Sequence, residues 1–243
     1  MQNKRIIPCL DIKDGRTVKG INFLEVKDAG NPMKLAKKYC ADGADELVLL
    51  DITATVEKRK TLLRLVKEIA QEITIPFTVG GGINSLDVAC EVLQAGANKV
   101  SVNSSAVHRP ELIREIAQKF GKQSVVVAID TKFENNQWKV LTHGGSTMTT
   151  LNIIDWAKEI ETLGAGEILL TSMNKDGTKN GFSLDITKQV AEAVNLPVIA
   201  SGGAGTLKHF KEVFEKTKAT GALAASVFHY EEIAIPTLKK YLT

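Results

Sequence analysis

The stretch Ile6-Ile7-Pro8-Cys9-Leu10-Asp11-Ile12-Lys13 is answered half a chain later by Val126-Val127-Ala128-Ile129-Asp130-Thr131-Lys132. In both, an apolar run closes on an aspartate and a lysine follows two residues on. Neighbouring segments repeat in step. Gly43-Ala44-Asp45-Glu46-Leu47-Val48-Leu49-Leu50 returns as Gly164-Ala165-Gly166-Glu167-Ile168-Leu169-Leu170-Thr171, and Ile75-Pro76-Phe77-Thr78-Val79-Gly80-Gly81-Gly82 returns as Leu196-Pro197-Val198-Ile199-Ala200-Ser201-Gly202-Gly203. A unit of half the chain is far longer than the roughly 20 to 50 residues of solenoid repeats. The expectation is therefore two fused halves, about 1–121 and 122–243, related by a pseudo-twofold axis.

Working outward, short apolar runs alternate with helical patterns along the whole chain, the signature of βαβ units and a parallel sheet. Strands are predicted over 6–10, 47–51, 77–79, 99–103, 125–130, 167–171, 198–201 and 222–225. Each run is too uniformly apolar for a half-exposed antiparallel sheet. The clearest amphipathic helix spans 58–72, where Leu62, Leu63, Leu65, Val66, Ile69 and Ala70 recur at helical spacing. Pro32, Pro110 and Asn84-Ser85 supply helix starts. Eight parallel strands in a chain of this length predict an α/β fold, a single (β/α)8 TIM barrel over 1–243 with helices outside. Two connections, 13–30 and 132–150, are longer than the rest and sit at matching positions in the halves. The second contains the alternating Trp138-Lys139-Val140-Leu141-Thr142 and predicts a small hairpin. The first is rich in Gly, Asp and Lys and is expected to be a mobile loop.

Composition narrows the function. The chain has 243 residues, 44% hydrophobic and 24% charged, with a formal charge of +3. That charge is too small and dispersed for nonspecific nucleic-acid binding, but it suits a small anionic substrate. No run approaches a membrane span, and the start of the chain leads straight into a strand without a signal peptide, so a cytoplasmic protein is expected. Cys9, Cys40 and Cys90 are widely separated, which argues against a disulfide framework or a zinc site. Neither a metal nor another cofactor is called for.

In such a barrel the active site lies at the carboxyl ends of the strands. Asp11 and Asp130 end strands one and five of eight, so they should face each other across the mouth as a general acid and a general base. Gly80-Gly81-Gly82 with Ile83-Asn84, and Gly202-Gly203-Ala204-Gly205 with Thr206, each close a strand and open a helix, where bare amides attract phosphate. Asn103-Ser104-Ser105 and Ala224-Ala225-Ser226 add small polar turns. Two such sites on opposite sides predict an elongated bisphosphate ligand.

Residues 4–20, 45–59, 76–83, 164–181 and 199–205 resemble the cyclase subunits of imidazole glycerol phosphate synthases, enzymes of histidine biosynthesis, and the likeness spans nearly the whole chain. That family is a half-barrel duplication whose substrate, a phosphoribulosyl-formimino-aminoimidazole-carboxamide ribonucleotide, carries a phosphate at each end. The resemblance implies that ammonia from a separate glutaminase subunit, the partner in a heterodimer, attacks the ribulosyl carbonyl. The products are imidazole glycerol phosphate and aminoimidazole carboxamide ribotide. It also implies that Asp11 and Asp130 are the acid/base pair and that Lys19 closes over the substrate. Gly82, Asn103 and Ser104 would hold one phosphate, and Asp176, Gly177, Gly203, Ala224 and Ala225 the other, with Asp51, Thr171 and Ser201 between. At the opposite strand ends Arg5, Glu46, Lys99 and Glu167 form a charged ring on the plain reading and an ammonia gate on the family's. Ser146-Thr147 follow His143-Gly144-Gly145 where the family commonly has a basic residue.

Two other readings compete. One is the isomerase barrel of the same pathway, which also uses two strand-end aspartates and two phosphate sites. Cys9-Leu10-Asp11, the 51–60 stretch and the charged ring favour the cyclase. The other is a noncatalytic barrel that conducts ammonia for an amidotransferase; the presence of both aspartates speaks against it.

Overall fold

The fold was obtained as a computed structural model that describes residues 4–21, 24–52 and 56–243; residues 53–55 of the 51–60 stretch lie outside the described residues. In chain order the strands are β1 (Arg5–Lys13), β2 (Arg16–Ile21), β3 (Leu24–Gly30), β4 (Leu47–Asp51), β5 (Phe77–Gly80), β6 (Lys99–Val102), β7 (Val125–Glu134), β8 (Gln137–Thr142), β9 (Thr147–Met148), β10 (Glu167–Ser172), β11 (Val198–Ser201) and β12 (Gly221–Ala224). The helices are α1 (Pro32–Ala41), α2 (Val56–Glu72), α3 (Leu86–Gln94), α4 (Ser104–His108), α5 (Glu111–Phe120), α6 (Ile153–Leu163), α7 (Leu184–Ala193), α8 (Leu207–Lys216), α9 (Ser226–His229) and α10 (Ile235–Leu242).

Eight of these strands pair in parallel in the order β10-β11-β12-β1-β4-β5-β6-β7, and β7 pairs with β10 to close the barrel. These are the eight runs the sequence picks out, with ends shifted by a few residues. Helix starts are capped as expected at two places. Asn31, ahead of Pro32, accepts from the Lys34 amide at 3.0 Å, and Ser85 accepts from the Val88 amide. Among the described residues no helix is long and apolar enough to cross a membrane.

The period-two alternation of a strand then decides what faces the barrel axis. On β1 the inward set is Arg5, Ile7, Cys9 and Asp11. Leu169 follows Glu167 on β10 in the same way, and Asp130 follows Val126 and Ala128 on β7. Ile7, Cys9, Val48, Val126, Leu169, Ile199, Leu223 and Ala225 pack into a small buried cluster of their own. The other parity, including Ile6, Leu10, Leu47, Leu49, Val127, Ile129, Ile168 and Leu170, joins the larger core between sheet and helices. Each strand is thus buried on both faces, which explains why the runs look uniformly apolar. The barrel carries a charged ring at one end, an apolar belt in the middle and carboxylates at the other end.

Most of the described residues of the first long connection, 13–30, lie in strands. β2 pairs antiparallel with the end of β1, Asp11 opposite Val18, and β3 pairs with β2. The turn is Asp14-Gly15, both at positive φ (51° and 74°), the backbone that suits a two-residue hairpin. Thr17 and Val18 of β2 are buried. The second connection forms the predicted hairpin, β7 against β8, around Asn135-Asn136 at φ 51° and 60°.

Candidate active site

A cavity of about 700 Å³ opens at the carboxyl ends of the barrel strands. Asp11 and Asp130 both line it, from β1 and β7, which are four strands apart in either direction round the ring. Around them lie Lys19, Asp51, Gly82, Asn103, Ser104, Thr171, Asp176, Gly177, Ser201, Gly203, Ala224 and Ala225. The mouth residues expected from the sequence are therefore all brought together. The barrel opening also receives Cys9, Ser101 and His143, for which the sequence alone predicts no such place.

The two aspartates have different surroundings. Asp11 is buried, accepts from Lys19 Nζ at 3.1 Å, and lies 3.8 Å from the Cys9 thiol. Lys19 reaches it from the hairpin strand β2 and also lies 3.8 Å from Asp176. Burial alone would depress the Lys19 ammonium, but Asp11 and Asp176 outweigh it and hold the group above its ordinary range. Burial, reinforced by Asp11, pushes the Cys9 thiol well up, so it is no thiolate nucleophile.

Asp130 accepts a hydrogen bond from Asn103 Nδ2 at 2.8 Å. Burial pushes its carboxyl up to about 7; the Asn103 amide pulls the other way, and the Asp176 charge adds to the rise. A carboxyl raised in this way favours the folded protein in its protonated form. Its contribution to stability is complete below the ordinary aspartate range and is lost as pH rises through about 7. Asp130→Asn, neutral and of the same shape, is therefore expected to melt higher than the parent at pH 8, with the gap closing towards pH 4. Thermal unfolding of both proteins at the two pH values checks this; a gap independent of pH would count against it.

The glycine clusters are required by packing before any ligand is considered. A Cβ on Gly81, at φ +97°, would lie 2.1 Å from the Asp51 carbonyl oxygen, and one on Gly203, at φ +100°, the same distance from that of Gly181. These contacts bring the loop after β5 onto the end of β4 and the loop after β11 onto the loop after β10.

At the far end, Arg5, Glu46, Lys99 and Glu167 close a ring of four alternating charges. Arg5 binds Glu46 at 2.5 Å and also binds Glu167, while Lys99 binds both glutamates at 2.9 Å. Glu46 and Glu167 are buried. Among the described residues no three His, Cys, Asp or Glu side chains converge as a metal site.

Fold and site together define a (β/α)8-barrel protein with strand-end carboxylates on opposite walls of one cavity. The family model described as "Histidine biosynthesis protein" matches residues 5–234, and the chain belongs to that family. It is 58% identical over 243 residues to imidazole glycerol phosphate synthase subunit HisF of Cytophaga hutchinsonii, covering 100% of this chain and 97% of that protein. The subunit of the same name from Flavobacterium johnsoniae is 58% identical over 242 residues, covering 100% of this chain and 96% of that protein. That of Geobacillus thermodenitrificans is 56% identical over 244 residues, covering 100% and 97%.

Proposed function

We propose that this barrel is the cyclase of histidine biosynthesis, converting the phosphoribulosyl-formimino substrate and ammonia into imidazole glycerol phosphate and aminoimidazole carboxamide ribotide. The observation that carries the reading is the placement of Asp11 and Asp130 on opposite walls of one cavity in a chain of this family. Asp130, raised to about 7, holds a proton it can give to the ribulosyl carbonyl oxygen near neutral pH as ammonia adds to the carbon. Asp11, held by Lys19 and facing it across the substrate, takes protons from the attacking nitrogen. Elimination and ring closure need the same two groups in turn.

The substrate spans the mouth. Gly82, Asn103 and Ser104 hold one phosphate, and Asp176, Gly177, Gly203, Ala224 and Ala225 surround the other, with Asp51, Thr171 and Ser201 between them. We read 1–243 as a single barrel whose halves, about 1–121 and 122–243, each supply one carboxylate. A glutaminase subunit docks on the charged face, and its ammonia passes the ring of Arg5, Glu46, Lys99 and Glu167 and the apolar belt beyond it. A ring with balanced charge seals the core and still admits a small neutral molecule.

The test is turnover without the partner. With excess ammonium salt at mildly alkaline pH, the purified chain is expected to consume the phosphoribulosyl substrate and release imidazole glycerol phosphate, followed by loss of substrate absorbance. Tight substrate binding with no turnover would instead favour a barrel that conducts ammonia without performing the chemistry.

A further inference from the structure

The cavity is poor in cations for a ligand with a phosphate at each end. Among the described residues that line it, Lys19 and His143 are the side chains able to carry positive charge, against four aspartates. Lys19 lies between Asp11 and Asp176, at the Asp176–Gly177 end. The opposite end, at Gly82, Asn103 and Ser104, is where His143 stands.

His143 is held there by its backbone. It adopts φ +54°, followed by Gly144 at +63° and Gly145 at +82°, three left-handed residues in a row. A non-glycine residue in that region is uncommon, and histidine is among the types that accept it most readily. The turn brings the His143 amide onto Ser104 Oγ at 2.8 Å, so the serine hydroxyl accepts from the protein and keeps its own proton for another acceptor. The imidazole is fixed from two sides. Its Nδ1 lies 3.1 Å from Thr142 Oγ1, and the His108 ring packs against it with centroids 5.6 Å apart and planes tilted by 60°. Nε2 is the ring nitrogen not engaged with Thr142. Ser146 and Thr147, next along the loop, bring no charge.

We propose that His143 binds the substrate phosphate at the Gly82–Ser104 end, donating from its ring, with His108 as the positioning residue that holds the ring in place. The inference rests on the bisphosphate reading above and adds, among the described residues, a ring N–H donor to the small polar side chains and backbone amides at that end of the cavity. Imidazole to phosphate is a charge-assisted bond, roughly twice as strong as a neutral one.

The test compares the parent with His143→Asn, which suits the left-handed backbone and so preserves the amide bond to Ser104, and with His108→Ala. In ammonia-dependent turnover His143→Asn is expected to raise KM about tenfold with kcat nearly unchanged, and His108→Ala to raise KM by a smaller factor. Inorganic phosphate, titrated by calorimetry, should bind His143→Asn about tenfold more weakly than the parent. Equal phosphate affinity in a normally folded His143→Asn would overturn the proposal, as would a fall in kcat at constant KM. A parent that binds phosphate through His143 yet fails to turn over the substrate would fault the cyclase reading and leave the histidine site standing.

Discussion

Asn in place of either Asp11 or Asp130 is expected to cut ammonia-dependent turnover by at least about a thousandfold, the range that positioned acid/base groups supply. KM should change little, because in the proposed binding mode the phosphates are held at the two rims and not by Asp11 or Asp130. The double variant should be scarcely worse than the single ones, since two groups that serve one proton itinerary do not contribute independently. Asp130→Asn makes a sharp case: it removes a carboxyl that burial pushes up to about 7, so the inactive variant should also be the more stable one at pH 8. Steady-state kinetics with ammonium salt, beside thermal unfolding of the same samples, decides the matter. Activity within tenfold of the parent in either single variant would remove that aspartate from the chemistry.

Glu167→Ala should have the largest effect on the fold. The glutamate side chain is 5% exposed and binds Arg5 and Lys99 together. Removing it leaves two cations at the barrel floor sharing Glu46. Breaking a buried pair from one side destabilises by about 3–5 kcal/mol, because the surviving charge stays desolvated. Chemical denaturation should show that loss as a lower midpoint at unchanged slope. Glu167→Gln keeps the shape and is the milder probe of passage. With the glutaminase present, glutamine-driven turnover should fall severalfold, while turnover on added ammonium salt, which reaches the mouth from solution, should hold. Equal losses in the two assays would mean that the ring is structural only.

Much of this arrangement is legible in the sequence. The repeat, the eight apolar runs and the two strand-end aspartates locate the mouth, because strand ends in a closed parallel barrel converge whatever the detailed packing. Two things escape for physical reasons. Strands buried on both faces hide their period of two, so Arg5, Ile7, Cys9 and Asp11 do not stand out as one inward row, although charge at the first and last positions hints at it. The β2–β3 hairpin is hidden by its polar composition. The sequence signal in this region is Asp14-Gly15, the dipeptide that turns β1 into β2 and accepts positive φ at both turn positions. His143 stands out in the sequence only through the two glycines that follow it, since only the fold brings its amide to Ser104, in a distant segment of the chain. The glycines are legible by half: they do line the mouth, but Gly81 and Gly203 are first needed where one backbone presses on another.

The apolar belt of Ile7, Val48, Val126, Leu169, Ile199 and Leu223 carries one more consequence. Water and ammonia are close in size, so no constriction could sort them by width. A dry stretch sorts by hydration instead. A molecule entering it surrenders its hydrogen bonds, a small loss for ammonia, a larger one for water and a prohibitive one for an ammonium ion, whose charge would be stripped of solvent. On the proposed route, the same side chains that hold the strands together would then select the neutral molecule, passing the nucleophile and excluding the protonated form that solution near neutral pH mostly holds.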